Sequence, residues 1–217
     1  MLIKHGAGPN SYVGDGQMPT LLHYLTSHVR METLKAVLES GGAAVNIPNE
    51  KGRTAMFNAS SPQIVDLLFD AGFSVEWEDL EGFRPLHTIV SREESLSTVK
   101  AMLVTRCDVN AKDKKGRTPL HIICLQGISD VRSNMSQKLR NRLNTIKLLA
   151  DFGANIGTVD NEGKTPLELL LIPPHEETFA EWKAIKDYLE ELLDAQVNHG
   201  FKMSRVDMEE ETNTDED

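Results

Sequence analysis

Apolar residues recur along the chain in short blocks at helical spacing, and each block runs into a glycine and a polar turn. Leu120, Ile123 and Cys124 share one face of a helix that opens at Thr118-Pro119. A threonine at that point caps a helix by accepting from a free backbone N–H, and a proline just inside loses no hydrogen bond. Ile146, Leu148 and Leu149 form a second stripe, which stops at Gly153, a residue that tolerates the left-handed conformation past a helix end. Asp160-Asn161-Glu162-Gly163 then supplies turn chemistry. Each unit is therefore turn, helix, helix, turn. One such pair cannot bury its apolar face alone, so the units must stack. Pro173-Pro174 closes the first helix of the last unit. Beyond it, Phe179, Trp182, Ile185, Leu189, Leu192 and Leu193 lie on one stripe, with charge mostly elsewhere, and predict a cap helix over 176–195. The longest apolar run, Leu169 to Pro174, is far short of the ~20 residues that span a bilayer.

The blocks are copies of one phrase. Lys115-Gly116-Arg117-Thr118-Pro119-Leu120-His121 recurs as Glu162-Gly163-Lys164-Thr165-Pro166-Leu167-Glu168. Looser copies are Glu81-Gly82-Phe83-Arg84-Pro85-Leu86-His87, Lys51-Gly52-Arg53-Thr54-Ala55-Met56-Phe57 and Thr20-Leu21-Leu22-His23. The cap positions 20, 54, 84, 118 and 165 are separated by 34, 30, 34 and 47 residues. Over roughly residues 1 to 195 the chain resembles the ankyrin-repeat family, whose repeat is about 33 residues with a Thr-Pro-Leu-His phrase. That resemblance implies an all-α solenoid of stacked helix pairs joined by β-turn or hairpin loops, to which the apolar stripe and the terminal charge run add a helical C-terminal cap and an acidic tail. Repeats one and two depart from the phrase, with Leu21 or Ala55 at the proline and Phe57 at the histidine. Their looser fit predicts that the N-terminal end opens first.

The organisation follows. Residues 1–13 read as a partial N-terminal repeat and 14–198 as an array of about five repeats. An insertion over 127–144, between the helices of repeat four, accounts for the 47-residue spacing; an extended second helix with a solvated basic face is its expected form. Arg106 stands where the other repeats carry glycine and predicts strain or a different helix ending. Residues 199–217 read as a disordered acidic tail.

Charge and chemistry narrow the function. The net charge is −10, from 33 acids and 23 bases. An acidic chain disfavours general nucleic-acid binding, which needs basic surface to displace phosphate counterions; the one basic stretch, 132–147, keeps it as a minor alternative. Two cysteines, Cys107 and Cys124, fit a reducing compartment, so an intracellular site, cytoplasmic or nuclear, is expected. Neither Cys-x-x-Cys nor His-Glu-x-x-His occurs, and glycines miss the dinucleotide and P-loop spacings. His23, His87 and His121 sit in the repeated phrase, where helix-start hydrogen bonding explains them. No catalytic, metal or cofactor residue is expected, nor a membrane segment, and an enzyme is not.

In ankyrin arrays the turn tips and first helices line a concave face, and the resemblance directs attention there. Lys112, Lys114, Lys115 and Arg117 place four cations in six residues, beside Trp77, Leu80, Glu81 and Phe83 of the preceding repeat; Arg53 and Lys164 take matching tip positions. Aromatics and arginine are the usual anchors of protein interfaces. The expected function is a non-catalytic interaction module, a scaffold or adaptor, whose partner is a protein with an acidic and hydrophobic segment. A substrate-receptor role in a ubiquitin ligase is the alternative that the resemblance adds. The acidic tail is long enough to reach back over that face. Asn110 matches asparagines that an oxygen-dependent hydroxylase modifies in ankyrin proteins, while its turn position implies a structural role.

Overall fold

The computed structural model describes Asn10 and residues 20–28, 30–40, 44–92, 96–126, 135–170 and 179–199. Eight α-helices lie among them: α1 Leu21–Ser27, α2 Met31–Glu39, α3 Pro62–Asp70, α4 Pro85–Ser91, α5 Leu96–Val104, α6 Pro119–Leu125, α7 Met135–Asp151 and α8 Phe179–His199. No strand occurs among the described residues. First helices stack in one row, with α1 on a 3₁₀ turn at Ala55–Asn58, that turn on α4, and α4 on α6. Second helices stack in another, α3 on α5, α5 on α7 and α7 on α8. The core runs continuously between the rows. Leu22, Met56, Leu86, Ile89 and Leu120 enter from one side, and Leu34, Ile64, Leu68, Met102, Ile146 and Leu189 from the other, all fully buried. This is the expected all-α solenoid.

The departures have local causes. Repeat two's first helix shrinks to the four-residue 3₁₀ turn. In α1 and α6 the cap hydroxyl of Thr20 or Thr118 meets the Nδ1 of His23 or His121 at 2.8 Å. Phe57 offers no such atom, and the buried Thr54 hydroxyl is left without a partner. In repeat five the first helix is reduced to a turn over 166–169, in which the Leu169 amide donates to Thr165 O at 3.2 Å. Arg106 adopts φ 63, the left-handed conformation that Gly72 and Gly153 take at φ 84 and 87. The helix ending is thus the same as at the glycines, held by a residue that carries a Cβ.

The insertion extends the second helix of repeat four, as α7, from its described start at 135. One cation departs from the solvated basic face expected, while Arg140 stays exposed. Arg142 is only 5% exposed, and Arg140 pairs with Glu181 of α8 at 3.3 Å. Residues 127–134 of the insertion lie outside the described residues, as do 1–9, 11–13 and 200–217 of the predicted N-terminal segment and tail. The cap helix runs to His199 rather than 195. Its Ile185 and Leu189 are fully buried against the array, while Phe179 at its start is half exposed and stacks on Trp182.

Candidate functional site

Four turn tips present the candidate residues, and each tip is built around one polar side chain. Asn49, Asp79, Asp113 and Asp160 accept, through Oδ1, the amides two and four residues on, at 2.8–3.0 Å. Each tip closes with a backbone bond from that residue's own amide to the carbonyl four residues later. A glycine with φ of 76 to 78 follows at 52, 82, 116 and 163. At Gly82 a Cβ would stand 2.7 Å from the Lys114 amide nitrogen, so glycine is also what lets adjacent tips approach. The tips are joined to one another: Leu80 N donates to Lys51 O, Lys114 N to Glu81 O and Asn161 N to Lys115 O, at 2.9–3.0 Å.

Two further ladders fix the tips to the helices. Asn10, Asn46, Glu76 and Asn110 each accept, through a side-chain oxygen, an amide of the next repeat: Ala44, Ser74, Asp108 and Asn155, at 2.6–2.8 Å. Asn110 also donates from Nδ2 to Gly153 O at 2.9 Å, so both ends of its amide are engaged. At the end of the array Gln196 of α8 takes over, accepting from Ile156 N and donating to Ala154 O. The other ladder is histidine. The Nδ1 of His87 and of His121 accepts the cap amide at 3.1 Å, which leaves the hydrogen on Nε2. That nitrogen donates to Arg117 O or Lys164 O of the next repeat at 3.2 Å, and His23 reaches Arg53 O at 2.8 Å. Burial holds all three imidazoles below their ordinary pKa. These are neutral structural hydrogen-bonding groups.

The interface between repeats two and three lacks the histidine rung, because Phe57 occupies it. Charge fills the gap. Arg53 crosses to Asp79 of repeat three, Nε to Oδ2 at 2.8 Å, while Arg117 pairs with Asp113 of its own tip, Nη2 to Oδ2 at 2.6 Å. Phe83 stands at the arginine position of its own tip, which leaves Asp79 free for Arg53. The half-buried Phe83 ring lies between the two guanidiniums, 5.9 Å from Arg53 and 5.5 Å from Arg117. At the Thr54/Thr118 position repeat three carries Arg84, which binds Glu78 at 3.0 Å and also pairs with Glu76.

The predicted site residues therefore divide. Lys114, Lys115, Arg117 and Lys164 come together in a groove of about 410 Å³ between the tips of repeats four and five. Its apolar lining is Leu125 of α6 and Leu169; Asp160, Asn161 and Glu162 complete the rim. Lys164 pairs with Glu162 at 3.1 Å. Among the described residues Lys114 and Lys115 have no ion pair; Lys114 donates to Leu80 O at 2.7 Å. Lys112 turns to Val159 O at 3.3 Å, outside the groove lining. Trp77, Leu80 and Glu81 stay on the tip of repeat three, with the Trp77 indole donating to Gly52 O at 2.8 Å and Leu80 60% exposed. Arg53 and Phe83 serve the interface below.

Leu125 and Leu169 were not singled out in the sequence, because each looks like one more apolar position of a helix. Burial pushes the thiols of Cys107 and Cys124 up to about 12, which leaves both protonated and unreactive at neutral pH. Among the described residues no group of three His, Cys, Asp or Glu side chains is placed to hold a metal ion. No described helix is long and apolar enough to cross a membrane.

A family model described as ankyrin repeats (3 copies) matches residues 58–135 and 86–177, which together span more than half of the chain. An ankyrin repeat protein of Acanthamoeba polyphaga mimivirus is 23% identical over 206 residues, covering 82% of this chain. The chain spans only 26% of that relative's length.

Proposed function

Because the chain belongs to the ankyrin-repeat family, whose repeats generally mediate protein–protein interaction, we propose that it is a non-catalytic scaffold or adaptor that takes an acidic and apolar segment of a partner protein along its concave face. One observation carries this reading: the groove of Lys114, Lys115, Arg117 and Lys164 over Leu125 and Leu169. Lys114 and Lys115 give it a positive potential that speeds encounter with an acidic segment. Exposed to salt, each is worth about 0–1 kcal/mol. Leu125 offers apolar contact worth about 25 cal/mol per Å² removed from water, while Leu169, only 9% exposed, floors the groove. Trp77 and Leu80 extend the surface toward repeat three, where a longer partner gains further contact. The rest of the tip is already committed to the fold. Arg53, Arg117 and Phe83 hold one another and serve as a rigid platform rather than as mobile anchors.

A substrate-receptor role in a ubiquitin ligase is a special case of the same reading, in which the groove holds the substrate. Nucleic acid fits poorly, since Arg142 is buried and Arg140 is paired with Glu181. An intracellular location accords with the two unpaired cysteines.

Selection of a random peptide display library on the immobilised full chain tests the proposal. The expected winners carry Asp or Glu beside Leu, Met, Phe or Val, and their binding weakens at least tenfold on Lys114→Glu with Lys115→Glu. Winners that are basic, or that bind this double variant equally well, overturn it.

A further inference from the structure

The groove has a candidate occupant within the chain itself. We propose that the acidic segment Val206-Asp207-Met208-Glu209-Glu210-Glu211 docks in the groove between repeats four and five and competes there with the external partner. This rests on the reading of that groove as a docking site.

Three observations support it. The first is where the tail departs. Helix α8 ends at His199, and Gln196, one turn earlier, is bonded to Ile156 N at 3.1 Å and to Ala154 O at 3.3 Å. Ile156 is four residues before Asp160 on the groove rim, a separation of at most ~14 Å along the chain. Residues 200–206 span up to ~23 Å when extended, so Val206 reaches the rim without strain.

The second is charge. From Gly200 onward the chain carries Asp207, Glu209, Glu210, Glu211, Asp215, Glu216 and Asp217 against Lys202 and Arg205. On the rim, Lys114 and Lys115 have no ion pair among the described residues, whereas Lys164 and Arg117 are answered by Glu162 and Asp113. Lys115 is open to the acidic run, and Lys114, bonded to Leu80 O at 2.7 Å, keeps a charge that no described carboxylate answers.

The third is the alternation of side chains. An extended segment sends successive side chains to opposite faces. Bound in that form, Val206 and Met208 would face Leu125 and Leu169, and Asp207, Glu209 and Glu211 the lysines, with Glu210 carried past the apolar lining. A solvated run of acids alone does not offer that pairing.

Tethering sets the strength. A short flexible linker gives an effective concentration on the order of 1 mM, so a segment with an intrinsic Kd of about 0.1 mM weakens an external competitor about tenfold.

The test uses the full chain carrying Asn213→Cys and a nitroxide label. The thiols of half-buried Cys107 and buried Cys124, pushed up to about 12, react far more slowly than the new one, and Cys107→Ser removes the more accessible of the two. Paramagnetic broadening is read at each amide. The expected result is broadening at Lys114, Lys115, Asn161 and Lys164. It disappears in about 1 M salt, where the Debye length falls to about 3 Å. It also disappears on Lys114→Glu with Lys115→Glu, in a protein of unchanged circular dichroism. It returns when those changes are combined with Glu209→Lys, Glu210→Lys and Glu211→Lys. Broadening confined to the end of α8 overturns the proposal. So does groove broadening that arises only between labelled and unlabelled molecules, which assigns the groove to a second copy. A synthetic peptide of residues 204–214 separates this inference from the reading beneath it. It should bind about tenfold more tightly to the full chain with Glu209→Gln, Glu210→Gln and Glu211→Gln than to the unaltered chain. Equal binding to both defeats tail competition and leaves the groove standing. Binding to neither defeats tail competition, and the groove then stands or falls on the display-selected peptides.

Discussion

Removing the His121 side chain should uncouple the last repeat from the one before it. His121 is fully buried. Its Nδ1 accepts the Thr118 amide at 3.1 Å, and its Nε2 donates to Lys164 O at 3.2 Å. His121→Ala strands the Thr118 amide, at a cost of ~1–3 kcal/mol for a buried donor without a partner. The Lys164 carbonyl loses less, because it still accepts from Asp160 N at 2.9 Å. The vacated ring volume adds a cavity penalty of ~1–2 kcal/mol. The total is about 3 kcal/mol, placed at one interface of an array whose contacts run between neighbours. The two tryptophans report on the two sides of that interface, Trp77 on the tip of repeat three and Trp182 in α8. In urea, single-tryptophan versions of the full chain should unfold nearly together when His121 is present. With His121→Ala the Trp182 midpoint should fall by about 1–2 M, for a slope of ~2 kcal/mol per M, and Trp77 should move much less. Midpoints that stay coincident, or that shift by under ~0.3 M, refute the staple.

Further consequences are open to measurement. Arg106→Gly relieves a left-handed residue that carries a Cβ, and should raise stability by about 1 kcal/mol in denaturant titration; no gain would mean that the conformation stores no strain. Asn110→Ala removes both halves of a rung and should cost ~1–2 kcal/mol; mass spectrometry of the native protein showing an unmodified Asn110 peptide would discard the proposal that it is hydroxylated. Acid should loosen the array through His23, His87 and His121. Unfolded imidazoles protonate near pH ~6.5, while burial keeps the folded ones below that value, so between the two the unfolded state binds more protons. Stability therefore holds above about pH 6.5 and falls as pH drops below it, by up to ~1.4 kcal/mol per pH unit for each imidazole. A flat profile from pH 7 to 5 would contradict this.

The helices, their caps and the stacking were legible because each repeat writes the same physical solution, from Thr118-Pro119 at a helix start to Gly153 at a helix end. The tip cations were legible for the same reason. What the sequence hid was the pairing of side chains across repeats. Asp79 and Asp113 look alike, yet one serves Arg53 of the preceding repeat and the other Arg117 of its own tip. That exchange depends on two substitutions read together, Phe57 at a histidine position and Phe83 at an arginine position. Arg142 looked solvated because its neighbours are polar; only the packing of α7 buries it. Asn10, far from any complete repeat, bonds to Ala44 N at 2.6 Å in the rung geometry of Asn46 and Asn110.

The central claim is that a protein segment docks at the groove between the tips of repeats four and five. Amide chemical-shift mapping of the full chain against a display-selected acidic and apolar peptide tests it most directly. The account predicts shifts centred on Lys114, Lys115, Leu125, Asn161, Lys164 and Leu169, and their loss with Lys114→Glu and Lys115→Glu. Shifts centred instead on the second-helix row of α3, α5 and α7 would contradict it.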